Sequence, residues 1–179
     1  CEGELQQVHH RGDFDLGLDD YLQIITRKTA SLTGACCRLG GHFAGAGAET
    51  MANLERYGLA VGIAFQITDD VLDITGSEKR MGKTLGRDLQ KSKLTLPVIH
   101  CLTRADDALR KELHLLLAGS NPDRSRLRNL LETTDSINYS LDAARDYVDS
   151  AVARLEELPA SQARQSLCRL AKLIISREQ

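Results

Sequence analysis

Phe65-Gln66-Ile67-Thr68-Asp69-Asp70-Val71-Leu72-Asp73 is the stretch that decides the fold class. It sits inside an apolar run with helical spacing, from about Thr50 to Ile74, carrying Leu54, Val61, Phe65, Ile67, Val71 and Leu72. On a helix, side chains three, four and seven positions apart share one face. Gln66, Asp69, Asp70 and Asp73 therefore form one polar stripe on a helix that is otherwise apolar and so is expected to be central. Gly62, one turn earlier, is expected to leave room beside that stripe.

Carboxylates this close repel one another, and burying them unpaired costs several kcal/mol each. A solvated acidic face would avoid that cost, and so would a bound cation. Hard oxygen ligands with space for water and phosphate suit Mg²⁺. The next segment, Gly76 to Lys93, supplies Lys79, Arg80, Lys83, Arg87, Lys91 and Lys93 against only Glu78 and Asp88. Acidic ligands followed by a basic loop match the needs of a diphosphate site, where Lys and Arg neutralise charge that the metal does not.

Outward from this centre the whole chain has helical periodicity, and no apolar–polar alternation is long enough for a strand. A long helix is predicted from about Asp19, with Tyr21, Ile24, Ile25, Leu32, Ala35, Cys36 and Leu39 at helical spacing. The Gly- and Ala-rich run Gly40 to Gly47 ends it or admits a neighbouring helix closely. Beyond the basic segment, Thr95-Leu96-Pro97 opens a short helix. Further helices are expected at Asp106 to Ala118, Arg124–Glu132, Ser140–Leu158 and Ser161–Arg177. The prediction is an all-α protein with one helical domain, or half of a larger one.

Composition narrows the function classes. The 179 residues carry 23 basic and 25 acidic side chains, so no basic excess is present for general nucleic-acid binding. No apolar run approaches the ~20 residues of a membrane span. The five cysteines show no CxxC or zinc-ligand spacing. Adjacent Cys36 and Cys37 are expected as small core residues, in a reduced, cytoplasmic setting. The five histidines show no ligand pairing. Thr29 is expected on the stripe of Ile25, Leu32 and Cys36, with Lys28 at its edge. The pair fits a snorkelling Lys beside a back-bonded Thr, or a phosphate clamp with a charge and a hydroxyl.

Together these segments resemble the trans-isoprenyl diphosphate synthases. Phe65 to Asp73 is similar to their second aspartate-rich motif, FQxxDDxxD. Gly82-Lys83-Thr84-Leu85-Gly86-Arg87-Asp88-Leu89 and Lys93-Leu94-Thr95-Leu96-Pro97 resemble the GK…G.DL…K.TLP segment. Tyr21 to Leu32 is similar to the Y……KTA.L helix, and Cys1 to Gln7 matches the EGE..Q signature of the long-chain, polyprenyl branch. The similarity spans about residues 1 to 100.

The resemblance implies the C-terminal part of an isoprenoid synthase-type helical bundle and a head-to-tail prenyltransferase. In such an enzyme an allylic diphosphate ionises with Mg²⁺ assistance, isopentenyl diphosphate attacks the carbocation, and a proton is lost. By position, Asp69, Asp70 and Asp73 would hold Mg²⁺, and Lys28, Lys83 and Lys93 would contact the allylic diphosphate. Thr29 and Gln66 would lie beside the carbocation. Gln7 belongs to the signature but receives no catalytic role.

Members of the family also carry a first DDxxD motif roughly a hundred residues upstream, absent from residues 1–179. A truncated or proteolysed chain is the expected explanation, with little or no synthase activity alone and a tendency to form a homodimer through an exposed apolar face. The alternative is a non-catalytic or half-length subunit of a heteromeric prenyl synthase, against which the intact aspartates and lysines argue. A terpene cyclase would want a Ser or Thr at Asp73 and a Glu at Ser77. Product length is not legible, beyond the lean of Glu2 to Gln7 towards a long chain.

Overall fold

A computed structural model of the chain describes residues 2–76, 85–119 and 123–176. Among them every regular element is helical, as the sequence predicts. The elements run α1 (Glu2–His9), α2 (Leu18–Ile25), a π turn (Thr26–Ala30), α3 (Ser31–Phe43) and α4 (Ala48–Thr75). They continue with α5 (Arg87–Gln90), α6 (Leu96–Arg104), α7 (Asp107–Ala118), α8 (Arg124–Thr133), α9 (Ser136–Arg154) and α10 (Gln162–Ser176).

The ends of the helices follow local chemistry. Asp106 caps α7 by accepting from the Leu109 amide at 2.8 Å, and Asp123 caps α8 by accepting from Ser125 and Arg126, each satisfying donors that the first turn leaves open. Pro97 occupies the first turn of α6, where its missing N–H is not needed. Gly45, with φ of 73°, turns the chain between α3 and α4. The short helix α5 lies in a stretch that looked only polar in sequence, and α9 begins four residues before its expected start.

Helix α4 is the centre of the molecule, packed against α3, the π turn, α6, α8, α9 and α10. Its 28 residues make a rod about 42 Å long. Two apolar clusters form along it. One gathers Ile67 and Ile74 with Ile24, Ile25, Leu96, Leu113 and Leu131. The other joins Tyr57, Val61 and Ala64 to Val148, Leu155 and Ala171.

Gly62 does not leave open space. A Cβ there would lie 2.5 Å from Ala30 Cα, and one at Gly58 would lie 2.5 Å from the Thr33 carbonyl oxygen. The two glycines instead bring the backbones of the π turn and α3 against α4. Cys36 is exposed and Cys37 half-buried, so the expected core role fails for Cys36. Leu32 is 71% exposed on the same helix. The reason is the π turn, whose i→i−5 bond from the Ser31 amide to the Thr26 carbonyl accommodates one extra residue. One residue is about 100° of helix, so the stripe through buried Ile25 does not continue through Leu32 and Cys36.

Candidate functional site

The site is assembled where the π turn crosses α4. Thr29 donates its hydroxyl to Gln66 Oε1 at 2.9 Å. The Gln66 amide donates to Asp70 Oδ1 at 2.8 Å, one turn along α4. Tyr21, buried on α2, donates its hydroxyl to the other oxygen, Asp70 Oδ2, at 2.7 Å. The result is a continuous chain, Thr29 to Gln66 to Asp70 to Tyr21, linking α2 and the π turn to α4. Burial, reinforced by the charge of Asp88, pushes the Asp70 carboxyl up from its ordinary 3.8 to about 7, against the pull of the Tyr21 and Gln66 hydrogen bonds. Burial first, and the Asp70 charge second, push the Tyr21 phenol well above its usual range.

Lys28 stands beside Thr29 on the π turn. Its ammonium donates to Gln7 Oε1 at 3.0 Å and lies 3.9 Å from Glu4. Further along α4, Asp73 accepts from the Gly86 and Asp88 amides, both at 3.1 Å, through its two oxygens. Gly86 adopts φ of 75°, which favours glycine. Lys93 is buried and pairs with Asp88 Oδ1 at 3.1 Å. Arg124 of α8 donates to the Ile74 carbonyl at 2.7 Å and also to the Gly76 carbonyl. It places a cation at the end of α4, where the helix dipole favours one.

Of the residues expected at the site, Thr29, Gln66 and Asp70 form one hydrogen-bonded set, with Lys28 next in sequence to Thr29. Asp69 is half-buried on α4. Asp73 and Lys93 form a second set with Asp88. Lys83 lies outside the described residues. The three aspartates do not make a ready-built cage. Among the described residues no three His, Cys, Asp or Glu side chains gather into a metal-holding group. The physical reason is visible in Asp70 and Asp73, whose oxygens are turned to protein donors on either side.

Two contributors were not assigned from sequence. Tyr21 lies on α2, and its partner Asp70 stands 49 residues away in the chain, so spacing along the sequence does not connect them. Gln7 is part of a recognisable signature, but nothing in one dimension connects it to Lys28. A groove of about 520 Å³ opens beside Thr29, lined by Leu32, Cys36, Phe65, Leu170 and Leu173 among others. Its walls are almost wholly apolar.

The sequence profile of the polyprenyl synthetases matches residues 1–134. Heptaprenyl diphosphate synthase component 2 of Geobacillus stearothermophilus is 38% identical over 99% of this chain and 55% of its own length. A short chain isoprenyl diphosphate synthase of Methanothermobacter thermautotrophicus is 34% identical over the same shares of the two chains. Among solved structures, a decaprenyl diphosphate synthase from Rhodobacter capsulatus superposes with a TM-score of 0.91 at 34% identity, covering 99% of this chain and 56% of that one. A polyprenyl synthase from Caulobacter crescentus, complexed with calcium and isoprenyl diphosphate, gives 0.90 at 34% identity over 99% and 55%. The chain spans about half the length of the curated relatives it matches.

Proposed function

This chain belongs to the polyprenyl synthetase family, and on that premise we propose that it supplies the FQxxDDxxD half of a trans-prenyltransferase. The reaction is the head-to-tail condensation of isopentenyl diphosphate with an allylic diphosphate. The observation that carries this reading is the Thr29–Gln66–Asp70–Tyr21 chain beside Lys28, at the edge of the apolar groove. A polar, charge-bearing end joined to an apolar slot matches a substrate with a diphosphate head and a hydrocarbon tail.

Lys28 and Lys93, together with Lys83, bind the allylic diphosphate as point charges. The Thr29 hydroxyl and the Gln66 carbonyl turn oxygen lone pairs towards the allylic carbons, where positive charge develops. Their mutual hydrogen bond, and the grip of Asp70 on the Gln66 amide, fix that orientation before substrate arrives. Leu32, Phe65 and Leu173 give the slot its hydrocarbon lining.

Asp69, Asp70 and Asp73 are the residues that would hold Mg²⁺. The donor set fits by its chemistry, since carboxylate oxygens are the hard ligands that Mg²⁺ takes. Mg²⁺ commonly uses one or two carboxylates plus phosphate and water. When bound, the ion neutralises the diphosphate as it leaves. The calcium and isoprenyl diphosphate of the Caulobacter relative support a divalent ion in this family.

Exposed Leu32, Leu39 and Phe43 along α3 support a homodimer. The component 2 designation of the Geobacillus relative favours a second reading, a subunit that works with a different chain. Among the described residues no helix is long and apolar enough to cross a membrane.

The test is incorporation of labelled isopentenyl diphosphate onto farnesyl diphosphate by the complete protein in Mg²⁺. Asp69→Ala is expected to lower turnover by at least ~100-fold. Wild-type turnover in that variant, or undiminished turnover after chelation of divalent metal, rejects the assignment.

A further inference from the structure

Helix α1 is held in an unusual way. Its buried residues are Gly3 and Gln7, one turn apart on one face. Its large apolar residues, Leu5 and Val8, are exposed. A helix whose inward face is a glycine and an amide gains little from hydrophobic burial, so its seat must come from specific contacts.

Both contacts fall on the π turn. Gly3 lies against the backbone where α2 runs into that turn. A Cβ on Gly3 would overlap the Lys28 amide nitrogen and stand 2.8 Å from the Arg27 carbonyl carbon and the Ile24 carbonyl oxygen. Gln7, 8% exposed, places its Oε1 3.0 Å from the Lys28 ammonium. Around them Glu2 pairs with Arg27 at 3.0 Å, and Glu4 stands 3.9 Å from Lys28.

We propose that Gln7 is a positioning residue: seated by Gly3 against the π turn, its side-chain carbonyl aims the Lys28 ammonium at the diphosphate. The proposal rests on the reading of Lys28 as a diphosphate-binding group. An ammonium has three donors, and Gln7 takes one, leaving two for phosphate oxygens. Four rotatable bonds in the lysine stem would otherwise have to be frozen when substrate binds, and ordering them beforehand favours affinity. The acceptor is an amide and therefore neutral. It orients the cation without adding a second negative charge to that of Glu4, 3.9 Å from the ammonium. Gly3 and Gln7 thus give the EGE..Q signature a physical task at the start of the reaction.

A double-mutant cycle in the complete protein tests this, with the KM for farnesyl diphosphate as readout and thermal melting as the folding control. Gln7→Met, which keeps the volume and removes the acceptor, is expected to raise KM about tenfold with kcat little changed. Lys28→Met is expected to raise KM at least as much. In the double variant the effect of Gln7→Met should vanish, because its target is gone. If Gln7→Met raises KM by its full factor on the Lys28→Met background, the positioning role is overturned while the role of Lys28 stands. If Lys28→Met leaves KM unchanged, the reading of Lys28 falls and the positioning role falls with it. Should Gln7→Met melt too low to assay, Gln7→Glu replaces it. That variant keeps an acceptor and adds a charge, so KM should rise in a Lys28-dependent way with melting unchanged, and an unaltered KM overturns the proposal.

Discussion

The two helices that meet at the site are positioned by opposite means. The helix from Leu18 to Phe43 breaks its regularity at Thr26–Ala30, where Lys28 and Thr29 reside. Helix α4 runs unbroken through Gln66, Asp70 and Asp73, and keeps these buried polar groups by satisfying them with hydrogen bonds. One side of the site is made by bending the backbone, the other by wiring side chains. A π turn costs helical regularity, but it redirects neighbouring residues in a way that no substitution on a regular helix reproduces. Buried carboxylates cost desolvation, which the donors to Asp70 offset only in part.

The contact between the two helices should be the most fragile part of this arrangement. Gly58→Ala places a methyl against the Thr33 carbonyl oxygen, which is backbone and cannot swing aside. A loss of about 3 kcal/mol is expected in urea unfolding of the complete protein, the upper end of overpacking penalties. A loss below ~0.5 kcal/mol would mean that α3 and α4 can separate freely, and that close approach does not set the site.

The wired side should yield next. Asp70→Ala leaves the Tyr21 hydroxyl and the Gln66 amide without their acceptor, at an expected cost of about 2 kcal/mol. Tyr21→Phe, which removes a donor instead, should cost about 1 kcal/mol. Equal losses in the two variants would contradict a network in which Asp70 is the shared acceptor.

Asp70 on the α4 side also makes stability depend on pH between 3.8 and about 7. In the metal-free folded chain Asp70 keeps its proton up to about pH 7, whereas its ordinary pKa is 3.8. Between those values the folded state binds more protons than the unfolded state. The contribution of Asp70 to stability is therefore fully present below about 3.8 and is lost as pH rises through 7. Relative to Asp70→Asn, the wild-type protein should lose stability across this window with a slope of at most ~1.4 kcal/mol per pH unit. Parallel stability curves for the two proteins would remove the burial argument.

The smallest effect is expected at the solvent edge of the π turn. Glu2→Ala breaks the ion pair with Arg27, whose members are 75% and 42% exposed, and should change stability by less than ~0.5 kcal/mol. A larger loss would show that charge, and not the seating of Gly3, holds α1 in place.

Much of the α4 side was legible in one dimension. Spacing alone put Gln66, Asp69, Asp70 and Asp73 on one stripe, and the apolar residues around them made the helix central. The caps at Asp106 and the proline of α6 were equally local signals. The π turn was not legible, because a period of 3.6 residues was assumed through Lys28 and Thr29. Leu32 and Cys36 were consequently placed on the stripe of Ile25, and both are exposed. Gly62 looked like a gap, since a glycine in a sequence does not say whether space or another backbone lies beside it.

The helical class and the central place of the acidic helix follow from periodicity and side-chain chemistry within one segment, so both were legible along the chain. Which groups touch was settled by packing. The partnership of Asp70 with Tyr21 spans 49 residues, that of Gln66 with Thr29 spans 37, and that of Lys28 with Gln7 spans 21. Contacts of that reach depend on how helices pack, and packing here was set by glycines whose role appears only when a second backbone fills the place of the missing side chain.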